Sequence, residues 1–225
     1  DRAGYGPLPG SVFIAPFPDP HSSDQEREVS RALRGLDRVL STQVASEQVA
    51  AFVIEPVIGE RGYIPTPKGF MEGLAHRCEE HGILLIADET QSGFGRTGKM
   101  FAIEALGVQP DIICMAKGIS SGFPFAAIGT RRALDEQWVT GSHSGSSNGN
   151  PIACAAALAT IEVLQEPGFI DNVKERGDQL IDALREMQQL DQALLHVRGR
   201  GLMVATEFDS PERAPFDEMQ AKCQN

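Results

Sequence analysis

Two charged residues, Asp88 and Lys117, each close a short unbroken apolar run: Ile83-Leu84-Leu85-Ile86-Ala87 delivers the aspartate, and Ile112-Ile113-Cys114-Met115-Ala116 delivers the lysine. Such runs are how strands covered on both faces read. Both charges therefore fall at strand exits, the side on which open parallel α/β sheets bind ligands. A carboxylate there can hold a cationic ring nitrogen, and a lysine amine that is desolvated or set beside other cations can lose its proton and act as nucleophile or acid/base. An unpaired buried charge is costly. Taken singly, each residue is better read as half of a structural ion pair with the other, or as a cap on a following helix.

The surroundings narrow the choice. Asp88-Glu89-Thr90-Gln91 runs into Ser92-Gly93-Phe94-Gly95-Arg96-Thr97-Gly98, and Ala116-Lys117-Gly118 follows after the next run, with 29 residues from Asp88 to Lys117. These motifs resemble the class III aminotransferases, pyridoxal-phosphate enzymes of the ornithine and 4-aminobutyrate transaminase type, from about residue 3 to about residue 208.

The resemblance implies an α/β fold whose largely parallel sheet is flanked by helices, the large domain of fold type I pyridoxal-phosphate transferases. That domain would occupy residues 1–190, incomplete at its N-terminal side, and residues 191–225 would begin a small α+β C-terminal domain. The implied cofactor is pyridoxal 5'-phosphate. Asp88 would keep its ring nitrogen protonated, so that the ring can act as an electron sink. Lys117 would hold its aldehyde and, once displaced, move a proton. Gln91 would lie near its phenolic oxygen; without the resemblance it reads equally as a polar turn residue. Glu60 would be a substrate gate that pairs with an arginine of the C-terminal domain, or else an exposed loop acid, and Glu55 beside it reads as buried and hydrogen-bonded. The implied reaction is ping-pong transfer of an amino group from an amino acid or amine, of ω-amino type, to a 2-oxo acid, although the same site plan serves aminomutases and decarboxylases.

A phosphate needs backbone N–H donors and hydroxyls at a helix N-terminus. Ser146-Ser147-Asn148-Gly149-Asn150-Pro151, entering an alanine-rich stretch, has that form. In the family the position of Ser146 usually carries threonine and touches the phosphate held by the other subunit, which implies a homodimer with shared sites. The family also supplies, ahead of the segment that starts at Asp1, a Gly/Ser phosphate loop and an aromatic residue stacked on the cofactor. Neither motif occurs in this sequence, which therefore reads as part of a longer polypeptide.

Two patterns point to other classes. Gly93-Phe94-Gly95-Arg96-Thr97-Gly98 fits the dinucleotide fingerprint G-x-G-x-x-G, but no acid ends the next strand, where Lys117 stands instead. Gly145-Ser146-Ser147-Asn148-Gly149 fits the hydrolase elbow and would make Ser147 a nucleophile, with His143 near in sequence. The elbow needs a buried strand immediately before it, whereas residues 140–144 are polar. A serine hydrolase is the runner-up reading from another class, and a non-catalytic interaction protein a third.

The 225 residues carry a net charge of −11, which argues against a nucleic-acid partner. Cys78, Cys114, Cys154 and Cys223 have no metal-ligand or C-x-x-C spacing and read as reduced thiols. No apolar run is long enough for a membrane span and no signal peptide is recognisable, so the expected location is the cytoplasm.

The positioning elements follow from periodicity and punctuation. Residues 1–24, with five prolines and three glycines, read as an extended arm. Val29, Leu33, Leu36 and Leu40 predict an amphipathic helix capped by Ser22 or Ser23. A buried strand is expected at 50–54, and an irregular loop at 57–67. Helices are predicted from Pro67 to Gly82, over 152–164 after Pro151, and over 170–189 with Val173, Leu180, Ile181, Leu184 and Met187 inward. Short helices are expected at 101–106 and 131–138, a strand at 125–129, and a turn and strand over 197–208.

Overall fold

The computed structural model describes residues 9–142, 145–190 and 194–208. Helix α1 (Gln25–Thr42) is capped by Asp24, not by Ser22 or Ser23. The Asp24 carboxylate accepts from Arg27 N at 2.9 Å, and Ser22 Oγ accepts from Asp24 N. The serine shapes the approach, and the carboxylate takes the helix terminus, where its negative charge is favoured.

Three short strands follow, β1 (Ala51–Ile54), β2 (Val57–Ile58) and β3 (Ile64–Pro65). The loop expected at 57–67 is in fact an antiparallel hairpin of β2 and β3, with Val57 opposite Pro65 and Ile58 opposite Ile64. Glycine and proline masked it in the sequence, yet a proline is tolerated in so short a pair, where its missing N–H breaks no long ladder. Helix α2 (Lys68–His81) starts after Pro67 and stops at Gly82, whose φ of 68° is a left-handed C-terminal conformation that glycine adopts without a Cβ clash.

Strand β4 (Leu84–Asp88) pairs in parallel with β1 on one side and with β5 (Ile112–Met115) on the other. Strand β6 (Ala127–Thr130) closes the far edge antiparallel, giving the order β1-β4-β5-β6. Register places Phe52 beside Leu85 and Ile54 beside Ala87. This face packs on α1 and α2 through Ala32, Leu36, Phe70, Met71, Leu74 and Cys78. Because side chains alternate along a strand, Val53, Ile86, Asp88, Ile112 and Cys114 fall on the opposite face. Val53 is 67% exposed there, so the strands expected to be covered on both faces are packed on one.

Beyond the sheet come α3 (Arg132–Asp135), α4 (Pro151–Leu164), α5 (Phe169–Leu190), β7 (Leu194–Arg200) and β8 (Met203–Phe208). In α5 the buried line is Val173 and Gly177, continued by half-buried Ile181 and Leu184, while Leu180 and Met187 face outward. The turn expected at 197–201 is strand up to Arg200, paired antiparallel with β8, so that Arg198 faces Ala205. Residues 191–193 and 209–225, including Cys223, lie outside the described residues, as do His143 and Ser144. No single described helix is long and apolar enough to cross a membrane.

Candidate active site

Asp88 ends β4 directly beside Cys114 of β5, on the open face of the sheet. It is half-buried, and its Oδ1 accepts from Thr90 N at 3.0 Å. Oδ2 meets no donor among the described residues. The Cys114 thiol is pushed up by burial first and by the charge of Asp88 second, as expected for two side chains on one face.

Lys117 follows β5 at the head of the 3-10 turn Lys117–Ser120, with φ 48°. Positive φ in a non-glycine residue costs on the order of 1–3 kcal/mol and persists only where the surroundings impose it. Here the surroundings are the glycine-rich loop: a Cβ on Gly118 would lie 3.2 Å from Cβ of Phe94, itself at φ 54°. The turn also rests on α4, where Ser121 Oγ and Thr160 Oγ1 are 3.1 Å apart. The lysine side chain is exposed and takes part in no ion pair or hydrogen bond among the described residues. The structural ion pair between Asp88 and Lys117 is therefore not formed. A strained residue presents a free amine one strand away from a carboxylate with a free oxygen.

Gln91 and Glu60 meet, with Gln91 Nε2 donating to Glu60 Oε1 at 2.8 Å. The hairpin that carries Glu60 approaches so closely that a Cβ on Gly59 would come within 2.7 Å of the Gln91 amide. Glu55, expected to be buried, is half-buried but hydrogen-bonded as expected, accepting from Gly59 N at 2.9 Å through Oε2. Gln91 and Glu55 are thus both tied to the hairpin, through Glu60 and Gly59 respectively, and Asp88 lies three residues before Gln91.

Ser146 and Ser147 sit in an exposed turn, 145–148, that leads into α4. The α4 terminus is capped by Asn150, whose Oδ1 accepts from Ile152 N at 3.0 Å and Ala153 N at 3.2 Å. No recorded contact brings the two serines to Asp88 or Lys117. Among the described residues the last strand before Ser147 is β6, which ends at Thr130, and none leads directly into the serine turn as a hydrolase elbow requires. The G-x-G-x-x-G match fails as well, because the segment after the loop is the 3-10 turn Ala102–Leu106 and no α-helix opens on it.

Two residues escaped the sequence reading. Glu89 is fully buried without a cation and accepts from Ser92 Oγ at 2.5 Å, Ile103 N at 2.7 Å and Ala102 N. Burial raises its pKa, and those hydrogen bonds oppose the rise. The signal was the strand alternation itself, which puts Glu89 on the side of Leu85 and Ala87. Arg198 links β7 to the tip of the β2–β3 hairpin, donating from Nε to Gly62 O at 2.7 Å. Nothing in the local sequence marks that contact across 136 positions.

A profile of class-III aminotransferases matches residues 2–224. The chain belongs to the class-III aminotransferase family. It is 40% identical over 225 residues to the 5-aminovalerate aminotransferase of Pseudomonas putida, covering 98% of this chain and 52% of that protein. It is also 40% identical over 222 residues to the 4-aminobutyrate aminotransferase of Escherichia coli, covering 98% and 51% respectively. Among solved structures, an amine transaminase from an uncultivated Pseudomonas species in its PLP-bound form superimposes with a TM-score of 0.86 at 31% identity, over 94% of this chain and 50% of that one. The chain spans about half the length of the curated relatives it matches.

Class-III aminotransferases depend on pyridoxal phosphate, and the residues present here suit that group. The free Asp88 oxygen suits a protonated ring nitrogen, the unpaired Lys117 amine suits an aldehyde, and the Gln91 amide, three residues after Asp88, keeps one N–H beyond that given to Glu60. Among the described residues no cluster of His, Cys, Asp and Glu could hold a metal ion.

Proposed function

We propose that the protein is a pyridoxal-phosphate-dependent aminotransferase that moves an amino group from an ω-amino donor, such as 4-aminobutyrate, to a 2-oxo acid by a ping-pong mechanism. The observation that carries this reading is the Lys117 amine, held in a left-handed turn with no ionic partner, at the strand exit next to that of Asp88. The two relatives named above, acting on 5-aminovalerate and 4-aminobutyrate, support the ω-amino class of donor.

Bound there, pyridoxal phosphate supplies an electron sink for breaking a C–H bond at the amine-bearing carbon of the substrate. Lys117 would hold the cofactor by its aldehyde and, once the donor amine has displaced it, its Nζ would be free to take the proton from that carbon and later give it back. The Asp88 carboxylate would favour a proton on the ring nitrogen, and an anion already fixed by Thr90 N–H would do so without reorganising. Gln91, whose Nε2 already donates to Glu60, would offer its remaining amide N–H to the cofactor's phenolic oxygen. Glu60, exposed at the hairpin, and Glu55 behind it form the gate that receives the donor.

We further infer a cytoplasmic homodimer in which Ser146 and Ser147 reach the phosphate of the neighbouring subunit's site. Two features of α4 support a shared interface: Ile152 and Leu158 expose most of their apolar surface, and the serine turn projects ahead of them. The 191–225 segment is read as the start of a separate small domain.

The test is Lys117→Ala in the complete protein, reconstituted with pyridoxal phosphate. Wild type is expected to show the absorbance of lysine-bound cofactor and to convert 4-aminobutyrate with 2-oxoglutarate. The variant should lose that absorbance and fall by about 10³-fold or more in rate. Retained turnover in the variant would refute the assignment.

A further inference from the structure

The β2–β3 hairpin that presents Glu60 is strained at its tip and is fastened there from the other end of the chain. Gly62 takes φ 91° and Tyr63 φ 51°, the latter an outlier for a bulky residue. Within the hairpin the tip has only two turn bonds, from Gly62 N at 3.1 Å and Tyr63 N at 3.3 Å, both to Gly59 O. Tyr63 packs against Val57, Ala102 and Met203, so part of its support already comes from β8. The rest comes from Arg198. Its guanidinium is largely buried, donates from Nε to Gly62 O at 2.7 Å, and is anchored on its own hairpin by Nη1 to Glu207 Oε2 at 2.5 Å. The fit is close, since a Cβ on Gly62 would lie 2.8 Å from Nη2.

We propose that Arg198 is a positioning residue for the donor gate: its planar fork pins the strained Gly62–Tyr63 tip to β7 and β8, and so holds Glu60 against Gln91. This rests on the reading of Glu60 as part of the gate. A guanidinium suits the task because one edge can grip a carbonyl while the other grips a carboxylate. Arg198 touches neither Glu60 nor Gln91; it acts through the hairpin backbone from Gly62 back across Arg61 to Glu60. Freed from it, the tip relaxes its positive-φ residues and Glu60 loses its fixed approach to Gln91. With the link intact the β7–β8 unit and the gate move together, which couples donor selection to the C-terminal part of the chain.

The experiment uses the complete holoenzyme with Arg198→Gln, which removes both the charge and the fork, and Arg198→Lys, which keeps one charged donor. Arg61 is exposed at the tip, and tryptic cleavage after it follows the population of the opened hairpin. Cleavage should rise about tenfold in the Gln variant and by less in the Lys variant, as expected for loss of a charge-assisted hydrogen bond at a locally opening site. Cofactor absorbance per subunit should stay at the wild-type level, and KM for 4-aminobutyrate should rise about tenfold while kcat stays within about twofold. Unchanged cleavage in Arg198→Gln overturns the proposal. So does equal loss of cofactor, kcat and global stability in both variants, which would make Arg198 a general structural residue. Accelerated cleavage in a protein whose wild type accepts no ω-amino donor upholds the fastening of the tip and refutes the donor class instead.

Discussion

Gln91 Nε2 lies 2.8 Å from Glu60 Oε1, so the loop that follows Asp88 and the hairpin that precedes α2 are joined by one side-chain hydrogen bond. Glycine at 59 makes the approach possible, because any side chain there would occupy the space of the Gln91 amide. Glu60 is exposed, so Glu60→Ala should cost little in folding, about 0.5 kcal/mol or less. Its cost should appear in donor choice. We expect the ratio of kcat/KM for 4-aminobutyrate to that for glutamate to change by about tenfold, equivalent to about 1.4 kcal/mol of transition-state discrimination. An unchanged ratio across a panel of ω- and α-amino donors would remove Glu60 from the gate.

Asp88→Asn separates charge from shape. The amide keeps an oxygen for Thr90 N, so the strand exit should fold as before. What disappears is the anion that holds a proton on the cofactor ring. Cofactor affinity is expected to fall, and proton abstraction in the donor half-reaction to slow by about 10²-fold or more. Stopped-flow spectra of the half-reaction measure this, and a near-normal rate would count against the role given to Asp88.

Much of this site was legible before any coordinates. Two apolar runs ending on charge gave strands β4 and β5 and the aligned exits of Asp88 and Lys117, because a run of four or five apolar residues, rich in isoleucine and too short for a helix, suits a sheet; that only one face is packed was not visible in them. Gly82 and Pro67 bounded α2 through backbone conformation alone. The β2–β3 hairpin was hidden because its pairing is two residues long and is stabilised by contacts to Gln91 and Arg198 rather than by local propensity. The cap of α1 was misassigned because serine and aspartate compete for the same position, and only geometry shows the serine used one step earlier. Arg198 could not be found at all: its partners are Gly62, far away in sequence, and a glutamate on the next strand.

Glu89 gives the site region a pH dependence whose sign is fixed. Burial raises its pKa in the folded state above the ordinary 4.5. The folded protein therefore retains a proton that the unfolded chain releases. The stability associated with that proton is complete below the unfolded value and is lost as pH rises through the folded one. Glu89→Gln cannot ionise, and its amide can still accept from Ile103 N and Ala102 N while donating to Ser92 Oγ. Relative to wild type, the variant should gain stability as pH rises above the ordinary 4.5, until Glu89 itself ionises in the folded protein. Denaturant midpoints across that range test it, and a difference that is flat or favours wild type at high pH would show that Glu89 ionises without cost.

Gly177 lies in the middle of α5, where alanine would ordinarily favour the helix by about 1 kcal/mol. Here the helix is pressed on the β7–β8 turn: a Cβ at this position would come within 2.2 Å of Gly201 O and 2.6 Å of Gly201 Cα. Those are backbone atoms and cannot swing aside. Gly201 in turn is held at φ 54° against the glycine-rich loop, where its own Cβ would lie 2.5 Å from Thr97 C, and Leu202 N donates to Arg96 O at 3.0 Å. Gly177→Ala must therefore push the turn away from both the helix and the loop. The overpacking should outweigh the helical gain and leave a net loss of about 1–3 kcal/mol, read as a lowered denaturant midpoint. Because Arg198 rides on the displaced strand, cleavage after Arg61 should accelerate with it. A neutral or stabilised variant would mean that α5 and the turn have room between them, and the hairpin would then lack the rigid footing that Arg198 requires.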